Sequence, residues 1–415
     1  MHIDTLDILR CPYCGGRLAL VTSMCHRFDA DQICDGVLAC HCCLFPVVAG
    51  IPILHLQPTS TAAREHIEAG RPELARRAMF NLDDTERAAR FEAAAASDAA
   101  TYREIVETLG PDIEGGYFLY RFSDPTYLVA HAVVRAVAGT LLRGGGRAID
   151  LCGSSGHLTR SLLDLSAGPP VLADLSFAKL WLAKRFVAPG CEPICCDGNG
   201  SLPFARAAFR FAMCSDALHY IWTKRQFVVE MLRLIGDGDA GGGVLISHTH
   251  NERQWNPSQG QPLPPEGYRD LFETLAPRLF GEAGLFADIV KGGPLDLARL
   301  DTAATLDADP ALTIIATRAP GVFTAHRLEP PEAPRGQFRI SPLYVASAEG
   351  DRIRLRLQFP SDDYAQEYSA ARQFLPEEVV LDRRDLAALE AGRLSGELVD
   401  LVRRRVIVDL PRQYC

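Results

Sequence analysis

Three acidic residues stand where short apolar runs end. Arg147-Ala-Ile-Asp150-Leu-Cys152-Gly153 leads into Ser154-Ser-Gly156-His-Leu-Thr-Arg160. Val171-Leu-Ala-Asp174 follows, its acid 24 residues after Asp150, and Pro193-Ile-Cys-Cys-Asp197-Gly198 is a third such segment. Small residues after the first acid let the backbone approach a ligand closely. A helix starting there presents unpaired N–H groups that suit a carboxylate or phosphate. An acid at the end of the second strand can accept both hydroxyls of a ribose. An acid at the end of the third can read an adenine amino group. Together these residues point to a nucleoside-like ligand.

Histidines follow the next two apolar segments. His219 comes after Phe209-Arg-Phe-Ala-Met-Cys-Ser215-Asp216, and His248-Thr-His250-Asn251 comes after Gly241-Gly-Gly-Val-Leu-Ile-Ser247. Ligands bind at the carboxyl ends of strands in open α/β sheets. His219, His248 and His250 are therefore candidate bases near neutral pH. His219 suits the packing of a helix start equally well, and the His-x-His pair suits a solvated loop. Residues two apart on a strand face the same way, so the pair also suits a metal, although no third ligand is evident.

Cys11-Pro-Tyr-Cys14 precedes Gly15-Gly16, and Cys40-His-Cys-Cys43 lies beyond a 25-residue spacer. Two such knuckles supply four thiolates in the tetrahedron that structural zinc prefers, with no position left open for catalysis. Cys11, Cys14, Cys40 and Cys43 are the expected ligands, with Cys42 competing for the fourth place. Of 13 cysteines, seven fall between Cys11 and Cys43. No export signal is evident, so they read as metal ligands in a reducing cytoplasm rather than as disulfides. A set of buried thiols is the alternative.

These groups need elements to position them. Residues 60–110, rich in Ala, Glu and Arg, read as helices. Ser123-Asp124-Pro125 predicts an N-cap and a helix to about Ala138. Tyr117, Phe118, Tyr120 and Phe122, just ahead of it, either pack helices on the sheet or line a pocket. Strands then alternate with helices, as in a parallel doubly wound sheet. Trp255 to Tyr268 is rich in turn formers and suits a lid or a surface loop, with a helix starting near Tyr268. Pro320 to Pro334 reads as a linker. Beyond it, a period-2 strand at Arg352–Phe359, helices at about 363–373 and 383–404 and a strand at Val406–Leu410 predict a small α+β unit. The expected organisation is 1–58, 59–114, 115–320 and 321–415.

From residue 145 to about 250 the chain resembles the class I S-adenosylmethionine (SAM)-dependent methyltransferases. The resemblance implies a Rossmann-like α/β sheet. It makes Asp150, Cys152, Gly153, Ser154 and Gly156 the SAM loop, and Asp174 with Leu175 the ribose site. It places Asp197 and Gly198 at the adenine, and Ser215 and Asp216 beside the methionine part. The family usually has glycine where this chain has Cys152 and Ser154. Leu6 to Gly16 together with Phe45 to Leu54 resemble the small zinc ribbons that include the activator subunit of tRNA and protein methyltransferases, which implies a structural or docking role.

The net charge of −9 and pI near 5.7 do not favour nucleic acid. No stretch approaches the roughly 20 apolar residues of a membrane span. The expected function is methylation of a small-molecule hydroxyl or amine, on a sugar, lipid-linked or secondary metabolite. Two alternatives are RNA or protein methylation, since a zinc ribbon ahead of a SAM domain also resembles ribosomal-RNA guanine methyltransferases, and a SAM-binding protein with degenerate or non-methylating chemistry. A protein partner would dock on the ribbon or the C-terminal region.

Overall fold

The computed structural model describes the chain except residues 83, 237–240, 257–259, 329–332 and 395. Near the N-terminus, β1 (Gln32–Ala39) and β2 (Leu44–Val48) form an antiparallel hairpin. Ile53 then runs parallel to Cys195, and the Leu54 N–H donates to the Cys195 carbonyl at 2.7 Å.

Four helices follow: α1 (Pro58–Glu68), α2 (Pro72–Phe80), α3 (Thr85–Ala95) and α4 (Tyr102–Leu109). A capping box of Thr101 and Glu104 starts α4. The Asp124 carboxylate accepts from the Tyr127 N–H at 2.6 Å and starts α5 (Pro125–Leu141), as the Ser-Asp-Pro sequence predicts.

The central elements are β3 (Ala148–Leu151), β4 (Val171–Asp174), α6 (Phe177–Leu182), β5 (Glu192–Cys195), β6 (Phe211–Ser215), α7 (Lys224–Ile235), β7 (Gly243–His250), α8 (Pro265–Arg269), β8 (Arg278–Gly281), α9 (Glu282–Val290) and β9 (Ala311–Thr317). Their sheet order is β8-β9-β7-β6-β3-β4-β5. Neighbours from β5 to β7 are parallel, and β9 runs against both β7 and β8. This is the Rossmann-like α/β sheet of class I methyltransferases.

Alternation along the strands separates two cores. Ala148, Leu172, Phe211, Met213 and Leu245 join α5 and α6 on one face. Ile149, Ala173, Ala212, Cys214 and Ile246 join α7 and apolar residues of the N-terminal hairpins on the other. Period-2 alternation with both faces covered is what a doubly wound sheet demands.

Two expectations fail on helix length. The segment after β3 makes only a 3-10 turn, Thr159–Leu162, in place of a helix. Its side chains are committed elsewhere: Arg160 bonds Asp409, and the His157 ring bonds the Tyr414 hydroxyl at 2.7 Å. Gly168-Pro169-Pro170 then ends any continuation. The expected helix at 383–404 is two, Arg383–Glu390 and Gly396–Arg403, with Gly392 at φ +67° between them. The helix expected near Tyr268 begins at Pro265.

The C-terminal unit contains a three-stranded antiparallel sheet and a strand pair, Gln337–Ile340 with Ile407–Leu410. Its core reaches Leu128 of α5. Part of the expected linker, and the centre of the 255–268 loop, lie outside the described residues. Among the described residues no helix is long and apolar enough to cross a membrane.

Candidate functional site at the carboxyl edge of the sheet

Strand register sets the site. Asp174 pairs with Cys195, Leu151 with Ala173 and Cys214, and Ser215 with Ser247. The residues that follow these pairs, Cys152 to Gly156, Leu175, Asp197, Gly198, Asp216 and His248, emerge along one edge.

The loop after β3 keeps a glycine-like backbone without the glycines. Cys152 has φ +58° and Ser154 φ +53°, alongside Gly156 at +77°. Left-handed backbone costs a residue with a Cβ about 1–2 kcal/mol, and such strain clusters at functional sites. Gly153 has no alternative: a Cβ there would stand 2.5 Å from both Asp150 Oδ2 and Leu172 Cδ1. The Ser154 N–H donates to Asp174 Oδ2 at 2.9 Å and the Ser176 N–H to Asp174 Oδ1 at 2.8 Å. Asp174 thereby ties the first two strand ends together and remains part-exposed. The Ser154 hydroxyl is buried and has no hydrogen-bond partner among the described residues.

Asp150 does something else. It is 1% exposed, and its Oδ2 accepts from Thr159 Oγ1 at 2.6 Å. Burial pushes its carboxyl up to about 7. It braces the loop from beneath. Glu114, buried ahead of α5, does the same from the far side by accepting from Ser155 Oγ, and burial raises it to about 7 as well. Nothing in the sequence near Glu114 signals this role.

Asp197 bonds its own turn, accepting from the Asn199 N–H at 2.8 Å. Gly198 leaves room for its neighbours: a Cβ there would lie 3.2 Å from Ile221 and 3.4 Å from Cys152 Sγ. Leu175 is 42% exposed beside these acids. Ser215 and Ser247 bond each other through their hydroxyls at 2.9 Å.

The three histidines converge. The rings of His219 and His250 stack with centroids 3.8 Å apart, and His248 meets His250 edge-on at 5.6 Å. The His248 ring bonds Glu282 Oε2 through Nδ1 at 2.7 Å, and its backbone N–H donates to Glu282 Oε1 at 2.7 Å. Burial opposes a charge on His248, yet the Glu282 carboxylate holds it up at about 9. Burial and the neighbouring His250 push His219 down to about 3, and burial lowers His250 as well. His219 and His250 are thus the neutral imidazoles of the trio at pH 7. The β7–β9 register shifts between Ile246 and Thr249, and His248 at φ +51° breaks the regular alternation of the strand there.

Two members of this group, Arg121 and Glu282, carry no mark in the sequence, and a third, Asp216, is expected there only beside the methionine part of the ligand. Asp216, at φ +55°, lies 4.0 Å from His250 Nε2 through Oδ1. Arg121, buried at the end of the aromatic segment, bonds Asp124 at 3.3 Å and Asp216 Oδ2 at 3.4 Å. Glu282 comes from the first turn of α9. The aromatics themselves mostly pack: Phe122 and Phe118 lie against His157, while Tyr117 stays 46% exposed.

In the N-terminal hairpins, Cys11, Cys14, Cys40 and Cys42 bring their sulfurs within 4.8 Å of one another. The separations are 3.7 Å for Cys11–Cys42, 3.7 Å for Cys14–Cys40 and 3.5 Å for Cys40–Cys42. Zinc–sulfur bonds of about 2.3 Å give a tetrahedral edge of about 3.8 Å, so the donor set fits zinc. The backbone N–H groups of Cys42 and Cys43 both point to Cys40 Sγ. Cys43, the expected fourth member, is not in this mutually close group, although its Sγ lies 3.2 Å from Cys42 Sγ. It abuts the start of β2 and packs against the core that holds Phe45.

A cavity of about 500 Å³ lies elsewhere, between α5 and the C-terminal unit, and shares no residue with this edge.

No family model and no curated protein matches the chain. Solved structures overlap parts of it. A Haloferax volcanii complex that includes the Trm112 methyltransferase activator matches at 19% identity, covering 45% of this chain and 88% of that one, with a TM-score of 0.35. A Streptomyces coelicolor geranyl diphosphate C-methyltransferase matches at 14% identity, covering 44% and 76%, with a TM-score of 0.33. A Mesorhizobium loti S-adenosylmethionine-dependent methyltransferase matches at 17% identity, covering 42% and 91%, with a TM-score of 0.32. The strand order, rather than these overlaps, carries the fold.

Proposed function

We propose that the strand edge binds SAM and that the protein transfers its methyl group to a small-molecule acceptor. The observation that carries this reading is the loop after β3. Cys152 and Ser154 hold left-handed backbone around a glycine that admits no Cβ, and Asp174 fastens that loop to the neighbouring strand. Such a cradle has no structural need for its strain, and it suits the amino-acid tail of the cofactor. Ser154 Oγ, buried without a partner, would bond the cofactor carboxylate. Asp174 with Leu175 would hold the ribose, Asp197 and Gly198 the adenine, and Ser215 with Asp216 the methionine side. Asp150 supports Gly153 from beneath, and its Oδ1, buried without a partner among the described residues, would complete the cofactor loop.

SAM, when bound, supplies the methyl cation equivalent. The chain's own task is to place an acceptor in line with it. His219 and His250 would flank that acceptor and take its proton. Tyr220, 49% exposed with its ring 4.2 Å from His219, and Trp222, 74% exposed, offer apolar surface for a small organic acceptor. The four thiolates of Cys11, Cys14, Cys40 and Cys42 would hold a structural zinc that closes the ribbon.

Thermal denaturation with SAM or S-adenosylhomocysteine tests the cofactor. A ligand at 100 times its Kd stabilises the folded state by about 2.7 kcal/mol. Asp174→Ala should abolish the rise in Tm, and an unchanged rise removes Asp174 from the site. Labelled methyl from SAM should appear in the small-molecule fraction of an extract. Label in RNA or protein instead would overturn the acceptor class.

A further inference from the structure

Asp216, His248 and His250 come from the ends of two adjacent strands, and one ligand atom of each lies within 4.8 Å of the others. We infer that these three side chains form a second metal site, for a divalent transition ion such as zinc, iron(II) or cobalt(II), distinct from the four thiolates. The inference deepens the proposed acceptor site, and rests on that reading only for what the ion would do there.

Four observations converge. The donor set is two imidazoles and one carboxylate, which suits first-row transition ions more than magnesium or calcium. His248 already has the support that metal-ligating histidines have. Its Nδ1 is held by Glu282 Oε2, so Nε2 would ligate once the ion displaces its proton to solvent, and Glu282 is itself fixed by Thr313 Oγ1 at 2.8 Å. Asp216 is anchored through Oδ2 by Arg121, which leaves Oδ1 toward His250. Finally, the backbone at Asp216 and at His248 is left-handed, at φ +55° and +51°. Two strained residues among three candidate ligands is the pattern of a site held in place by its surroundings.

Three protein ligands leave coordination positions open. An oxygen of the acceptor, a hydroxyl or a carboxylate, would fill one. The ion would then orient that oxygen and lower its proton affinity, and with His250 ligating the ion His219 alone would take the proton. The acceptor class is therefore an oxygen-bearing small molecule able to ligate a metal.

The full-length protein, saturated with zinc at its thiolates, would be dialysed against Co²⁺ and both metals counted. One Co²⁺ per chain is expected beyond the zinc, with weak visible bands and no sulfur-to-metal charge transfer. His250→Ala and Asp216→Asn should each abolish the Co²⁺ and keep the zinc. Glu282→Gln should weaken Co²⁺ binding about 10–100-fold. In case a variant fails to fold, proton NMR of the Co²⁺-loaded unmodified protein should show exchangeable, hyperfine-shifted imidazole protons from two ligands. No Co²⁺ beyond the zinc, full Co²⁺ binding by His250→Ala, or absence of those resonances overturns the proposal. The SAM-dependent rise in Tm, read on the same samples, succeeds or fails separately.

Discussion

Four thiols come from one short stretch of chain, between Cys11 and Cys42. The polar groups at the strand edge come from Glu114, Arg121, Asp174, Asp216, His248, His250 and Glu282, scattered over much of the sequence. The hairpins that carry the thiols are small and share an apolar core with one face of the sheet, and a metal on the four thiolates would add a cross-link to that packing. The strand edge is held by two apolar cores, so its geometry exists before any ligand arrives. One region would be cross-linked by a ligand as well as packed, the other is organised by packing alone, and substitutions should tell them apart.

The largest effect is expected from metal removal at the thiolates. Structural zinc contributes about 10–16 kcal/mol in small zinc modules. A strong chelator should therefore unfold the N-terminal hairpins while leaving the sheet's near-ultraviolet circular dichroism largely in place. Cys42→Ser should lose the zinc and Cys43→Ser should keep it, as read by metal content. The opposite result would restore Cys43 as the ligand.

Next in size is the pH response of the strand edge. Asp150 has its folded pKa raised from 3.8 to about 7 by burial. Between those values the folded state binds the proton and the unfolded state releases it, so stability falls as pH rises from about 4 to 7 and then levels. Three units correspond to something on the order of 4 kcal/mol. Asp150→Asn should flatten that fall in denaturant titrations at pH 5 and 8. A slope unchanged by the substitution would mean the carboxyl is not held neutral.

Gly153→Ala should cost about 1–3 kcal/mol by overpacking, because Asp150 and Leu172 occupy the space of the new methyl. The smallest effect is expected at Cys152→Gly. Relief of about 1–2 kcal/mol of backbone strain is largely offset by about 0.4–1 kcal/mol of extra unfolded-state entropy. A net gain below about 1 kcal/mol in denaturant midpoint is the expected outcome, and a loss would show that the sulfur packs more than it strains.

The same contrast explains what the sequence made legible. Paired cysteines at short spacing, and apolar runs ending in Asp150, Asp174 and Asp197, are local patterns, and the strands and knuckles form where they predict. The N-cap at Asp124 is likewise local, and α5 starts on it. Whether Cys42 or Cys43 completes the four thiolates depends on how the knuckle closes over Cys40 Sγ, which spacing does not encode. The helix expected after the loop is lost because Arg160 and His157 bond Asp409 and Tyr414, some 250 residues away. Glu282 meets His248 only because β9 brings α9 beside β7. The third partner of the His-x-His pair, Asp216, was visible in the sequence but sits on the neighbouring strand, and the register shift at the histidines leaves no mark in composition.

Ile53 lies alongside Cys195, so the ribbon's last extended residues cap the outermost strand of the sheet. A bare strand there would offer unpaired amide groups to any copy of itself. Stripping an ion from the thiolates would thus do more than loosen a small appendage: it would uncover a sticky rim and favour clumping of the protein.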